Sequence, residues 1–231
     1  MSKQKRRDFM ISGSLLTATM LADTVFANEN QTKTEDKYPP ILDSIMKRRS
    51  VRNYASTPVP EKHIRTILEA ARMSATSGNQ QPWKFIVVQD KSIIMKLKEA
   101  CIANAINRFE DRGDPTESQL DERMVEIKAY YKKCFSAPVY VTVLTDNEST
   151  YPTYNHWDGP LAAANLMIAA RALGYGTVHY TDSVPSAVTK KVLNIPDRYE
   201  RVCFMPVGIP IEWPDTPPKK QYESFIIHNS F

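Results

Sequence analysis

"DGPLAAANLMIAARALGYGTVHY", residues 158–180, is the stretch on which the fold turns. From Leu161 to Leu173 it is apolar or small almost all round, interrupted only by Asn165 and Arg171. A helix of that kind has no solvent face and belongs in the middle of a protein. "GYG" closes it, and "GTVHYT" follows with the β-branched and aromatic content of a strand. One buried helix beside a sheet is the expectation from which the rest is read.

Working outward, "WKFIVVQD", "APVYVTVLTD" and "RVCFMPVGIP" read as further strands. "PVPEKHIRTILEAARMS" has proline at its start, a glutamate in its first turn, and Ile64, Ile67, Leu68 and Ala71 on one face, so it predicts a helix. "ILDSIMKRRS" predicts a short amphipathic helix through Ile41, Leu42, Ile45 and Met46. Residues 91–134 read as two or three helices broken at "DRGDPTES", and "SAVTKKVLN" as one more. Four strands interleaved with about six helices predict a single α/β or α+β domain over residues 41–231. The tail "IEWPDTPPKKQYESFIIHNSF" is proline-broken and extended, and its apolar end suits an arm laid on a partner.

The N-terminus reads as an address. "SKQKRRDFM" is basic, and "MISGSLLTATMLADTVFA" is mildly apolar with a small-residue exit at Val25-Phe26-Ala27, so residues 1–27 are expected to be an export signal. Arg6-Arg7, followed by Asp8, Phe9 and Met10, resembles the twin-arginine signal of bacteria. That resemblance implies a periplasmic protein exported already folded, with any cofactor in place. Thr17, Thr19, Asp23 and Thr24 make the stretch too polar for a permanent membrane span. Residues 28–40, polar and ending in two prolines, read as a linker. The formal charge is +4; Lys3, Lys5, Arg6 and Arg7 against Asp8 and Asp23 account for +2 of it. The remaining +2 is too weak to suggest nucleic acid as a partner.

Several chemistries are excluded. His63, His156, His179 and His228 lie far apart, without metal-ligand spacing. There is no G-x-S-x-G nucleophile elbow and no phosphate-binding G-x-x-x-x-G-K-[ST] loop. The seven glycines provide no G-x-G-x-x-G after a strand, which argues against a nicotinamide held on a dinucleotide-binding unit. Cys101, Cys134 and Cys203 have no zinc spacing; an exported protein could pair two of them, Cys101 with Cys134 first because both fall in one helical region, but free cysteine is usually a small buried hydrophobe.

What remains is "KRRSVRNY", residues 47–54, with Lys47, Arg48, Arg49 and Arg52 around Ser50. Guanidinium is planar, always charged and able to bond two oxygens at once, which suits phosphate. A solvated charge run at a helix end is the alternative. "RRSVRNY", "SATSGNQQPWKFIVV" and the opening stretch, in that order, resemble the nitroreductase family of FMN-dependent oxidoreductases, from about Ile41 to the C-terminus. The resemblance implies an α+β fold, a central mixed β-sheet flanked by helices, and an intertwined homodimer whose two FMN sites are lined by both chains. It also implies ping-pong transfer from NAD(P)H to small conjugated electrophiles such as nitroaromatics and quinones. An exported chain meets little NAD(P)H, so an envelope electron donor is the alternative.

FMN brings a dianionic phosphate, a polar ribityl chain and a flat ring. The resemblance implies Arg48, Arg49, Ser50 and Arg52 on the phosphate and ribityl chain, with Arg52 at the pyrimidine edge where reduction places charge. It implies Asn79 and Gln81 on the ribityl hydroxyls and ring edge, Gly176 and Thr177 approaching through their backbone, and Lys219 on the phosphate. The family's donor to the flavin N5 is a backbone N–H at the start of the central helix, here Asp158-Gly159-Pro160. Proline has no N–H, so Gly159 is expected in that role, with Asp158 second. Two positions depart from the family pattern: Ala75 and Thr76 stand where Pro-Ser forms a wall on the ring, and Gln221 where a second base follows the lysine, with Lys220 one residue earlier. Three rival readings remain: reductive dehalogenation, flavin cleavage, and a non-enzymatic electron carrier.

Overall fold

The computed structural model describes residues 38–113 and 115–231; the expected export signal and most of the linker lie outside them. The elements run α1 (Pro40–Lys47), α2 (Glu61–Arg72), β1 (Trp83–Val88), α3 (Lys91–Glu110), α4 (Glu117–Cys134), β2 (Val139–Asp146), α5 (Asn155–Ala172), β3 (Gly176–Thr177), α6 (Ser186–Val192) and β4 (Tyr199–Gly208). Local chemistry sets several of the ends. Asp90 caps α3 by accepting from the Ser92 and Ile93 amides at 2.7 and 3.2 Å. Thr116 and Gln119 form a reciprocal capping box on α4. Proline opens α1, where its missing N–H costs nothing.

The sheet order is β1-β2-β4-β3, and these strands all pair antiparallel. The sheet expected to be mixed is thus antiparallel; the parallel pairing is confined to an isolated bridge between Ser50 and Thr177, outside the strand ladders. β2 is central and buried along nearly its whole length, as "VYVTVLTD" with no polar alternation requires. β3 is shorter than "GTVHYT" suggests. Its ladder stops after Thr177, and the segment beyond rejoins β4 only at the Tyr180–Phe204 bridge.

The sheet has an apolar layer on each face. On one side, Ile64, Ile67 and Ala71 of α2 and Ala163, Leu166 and Ala170 of α5 pack against Val139, Val141, Val143, Cys203 and Met205. On the other, Leu97 and Cys101 of α3 and Ile127, Tyr131 and Cys134 of α4 meet Tyr140 and Phe204. Truncating one of the fully buried residues, Leu166 for example, should cost about 2–5 kcal/mol. The three cysteines are free and buried. No helix among the described residues is long and apolar enough to cross a membrane.

α5 starts three residues before the expected Asp158 and holds Pro160 in its interior. It is the rod of the fold: it leaves the end of β2, crosses the sheet and delivers β3. Eighteen residues make it about 27 Å long. Everything of functional interest gathers at its two ends.

Candidate functional site

At the C-terminal end of α5 lies the basic strip. The Ser50–Thr177 bridge, with Val51 N–H donating to the Thr177 carbonyl at 3.0 Å, brings "RRSVR" onto "GT". Gly176 is needed for this approach. A Cβ there would lie 2.6 Å from Val51 Cγ2 and 2.9 Å from Pro210 Cγ. Its missing side chain is therefore filled by the protein's own strip, and any service to a ligand is indirect. Thr177 is buried, with its hydroxyl unpartnered.

The strip then guides the tail. Ala55 N–H donates to Ile209 O at 2.9 Å and Ile211 N–H to Asn53 O at 3.2 Å, and Arg49 bonds the Thr216 hydroxyl. Arg171, in the last turn of α5, lies 3.8 Å over the Trp213 ring. These contacts carry the chain toward the exposed Lys219 and Lys220, three and four residues past Thr216.

Charge at this end is unbalanced. Lys47 pairs with Asp43 at 2.8 Å, but Arg48, Arg49 and Arg52 form no ion pair among the described residues. Arg49 spends donors on the Met46 and Arg48 carbonyls at 2.7 and 2.8 Å, and Arg52 reaches Ser50 O at 3.3 Å. Burial, then the neighbouring Arg49, pull the Arg48 pKa below the usual arginine value. Like charges gathered without a counter-ion suit an anion.

At the N-terminal end of α5 lies the amide loop. Asp158, one turn into the helix and almost wholly buried, accepts from Ser77 N at 3.0 Å, Ser77 Oγ at 3.3 Å and Gln80 Nε2 at 2.7 Å. Gln80 also donates to Tyr151 O at 3.1 Å and accepts from Tyr151 N at 2.6 Å. The Tyr151 ring fills the space a Cβ of Gly78 would need. So tied, the backbone is driven into the left-handed region at Gly78, Asn79 and Gln81, with φ of 57°, 54° and 50°. That conformation is uncommon outside glycine. Thr76 Oγ1 accepts from the Gln81 amide at 3.1 Å. Asn79 and Gln81 stand exposed, and Gln81 Nε2 bonds only the Asn79 carbonyl, at 3.3 Å.

The structure corrects Gly159. It is the fifth residue of α5, where the helical ladder takes the N–H. Asp158 is likewise inside the ladder, so neither offers a free amide. Gly159 faces the sheet: a Cβ would lie 2.8 Å from Thr145 Cγ2 and closer still to Val202 Cγ2. Helix–sheet contact, not a ligand, requires glycine there.

The two clusters do not meet within one chain. The amide loop leads into Trp83, which pairs with Thr145 and, through it, Glu200; the strip bridges Thr177, which pairs with Val207. Seven residues of β4 separate them, about 23 Å along the strand, and they occupy opposite edges of the sheet. Sequence reading passed over Gln80, Tyr151, Thr216 and the Arg171–Trp213 contact. The doubled amide in "NQQ", and an acid heading an otherwise apolar helix, were the available signals for the loop.

A family model described as "Nitroreductase family" matches residues 45–209. The iodotyrosine deiodinase of Thermotoga neapolitana is 25% identical over 194 residues, covering 83% of this chain and 98% of that one. The 5,6-dimethylbenzimidazole synthase of Rhodospirillum rubrum is 27% identical over 180 residues, covering 74% and 82%. Among solved structures, an iodotyrosine deiodinase bound to FMN and 3-iodo-L-tyrosine shares the fold, with a TM-score of 0.66 at 23% identity, over 83% of this chain and 100% of that one.

Proposed function

The chain belongs to the nitroreductase family, and from that premise we propose that it is an FMN-dependent oxidoreductase of small conjugated electrophiles. The observation that carries this reading is the uncompensated charge of Arg48, Arg49 and Arg52. Three guanidinium groups without carboxylate partners among the described residues match a dianionic phosphate in charge and hydrogen-bond chemistry. Arg48, Arg49, Ser50, Arg52 and Lys219 would hold the phosphate end, and Asn79 and Gln81, with Thr76 fixing their loop, the ribityl and ring edge. The flavin supplies the two-electron chemistry. The residues bind it, orient it and, through Arg52, favour negative charge at the pyrimidine edge.

The separation of strip and loop supports a homodimer. If both clusters serve one flavin, the loop must come from a second copy. Ile41, Leu42, Ile45 and Met46 on α1, and Phe225 and Ile227 in the tail, are exposed large apolar side chains that such an assembly would cover. NAD(P)H is the proposed donor, with an envelope electron donor in its place if residues 1–27 direct export.

A second reading, reductive dehalogenation, draws support from the likeness to iodotyrosine deiodinases over 83% of the chain. Absorbance of the purified protein, followed under nitrogen as NADPH and then dithionite are added, tests the main reading. Flavin bands that bleach with NADPH support it. Bands that persist until dithionite point to another donor, and no flavin after reconstitution with FMN ends it. Iodide release from 3-iodo-L-tyrosine by the reduced protein would favour the second reading.

A further inference from the structure

Arg201 is a buried cation, 8% exposed, in the middle of a sheet. β2 and β4 slip register beside it: Val143 pairs with Cys203 and Leu144 with Arg201, leaving Val202 without a partner. Val202 and Cys203 both pack on the α5 side, and the bulge turns Arg201 toward the opposite face. There Nη2 donates to the Thr181 carbonyl, while Nε and Nη1 are enclosed with no partner. Arg201 forms no ion pair among the described residues. Its neighbour Glu200 is engaged by Lys190 at 3.9 Å, and Asp182 is exposed. Burial pulls the Arg201 pKa down, with Cys203, Cys101, Glu200 and Asp182 acting weakly the other way.

A buried unpaired charge is expensive, and substitution by an apolar side chain of similar volume often stabilises a protein. Arg201 therefore calls for a use. Its bond falls on the segment that leaves Thr177, the residue bridged to the basic strip, and is held along β4 by Tyr180 and Phe204. Thr181 and Asp182 turn their other side to solvent. The guanidinium stands behind this segment, in an interior where its field is weakly screened.

We propose that Arg201 is a positioning residue, a fixed positive charge that holds the backbone at Thr181 and stabilises the negative charge reduction places on a flavin bound against the exposed Thr181 and Asp182. This rests on the FMN reading above. Delivery of two electrons and one proton leaves the ring one charge more negative, and Arg201 favours that state without touching the ring.

The test is the flavin midpoint potential, measured by dye equilibration on the full chain and on Arg201→Gln and Arg201→Lys. FMN titration comes first: a wild-type chain that takes no FMN defeats the FMN reading, whereas this inference is judged on flavin-loaded protein. Arg201→Gln, which keeps a donor for the Thr181 carbonyl, should bind FMN but show a more negative midpoint; Arg201→Lys should stay close to wild type. An unchanged midpoint in Arg201→Gln, or equal shifts in both variants, overturns the proposal. If Arg201→Gln does not fold, Arg201→Met, an apolar side chain of similar volume, decides: it should fold and show a more negative midpoint, and an unchanged midpoint overturns the proposal.

Discussion

The two ends of α5 solve opposite problems. At its C-terminal end, Arg48, Arg49 and Arg52 carry charge without carboxylate partners among the described residues. At its N-terminal end, Asp158, Ser77, Gln80 and Tyr151 satisfy one another and hold Asn79 and Gln81 in a strained backbone. One end gathers charge that an anion would balance; the other is satisfied by its own residues. Strained backbone persists only where its surroundings over-determine it, and it clusters at ligand sites. Affinity should therefore reside in the strip and precision in the loop.

The largest effect should come from separating the two ends genetically. A chain with Arg48→Glu and Arg52→Glu, and another with Asn79→Ala and Gln81→Ala, should each be inactive alone. Co-expressed, half the dimers are mixed and each has one intact site, so about a quarter of wild-type activity should return. No recovery would place strip and loop in separate functions. Next, Arg48→Ala should weaken FMN binding by about 10–100-fold, the value of a charged hydrogen bond, measured by quenching of flavin fluorescence. Its unfolding midpoint in urea should hold or rise, because a half-buried cation beside Arg49 is removed.

Asp158→Asn should do the reverse, costing about 1–3 kcal/mol in urea unfolding because a buried donor on Ser77 or Gln80 loses its acceptor. Gly159→Ala sharpens the reassignment of that residue. Overpacking against Val202 and Thr145 should cost about 1–3 kcal/mol of stability, while the folded fraction binds FMN normally. A selective loss of flavin would mean that a ligand, and not the sheet, needs the space at Gly159. The smallest effect belongs to the tail: Arg171→Ala, losing about 0.5–1 kcal/mol of contact with Trp213, should weaken FMN binding only a few-fold.

Much of the fold was legible because period and composition are local. "VYVTVLTD" reads as a buried strand and "EKHIRTILEAAR" as a one-faced helix without reference to neighbours. The reach of α5 back to Asn155 was not. Proline at position 160 suggested a boundary, yet a helix can carry it past the first turn when the surrounding packing holds. Gly159 shows the same limit. The letter says that a side chain is excluded, and only the fold says by what.

By itself the sequence determined which residues carry chemistry: an arginine-rich strip, an amide loop and the apolar helix between them. Charge, hydrogen-bonding capacity and hydrophobic period are properties of side chains and need no partner to be read. Only the tertiary structure decided their arrangement. It set the strip on Thr177, the loop on Asp158, and the two about 23 Å apart on one sheet. It also enclosed Arg201 with no ion pair among the described residues, because one bulged residue turns a side chain from one face of the sheet to the other.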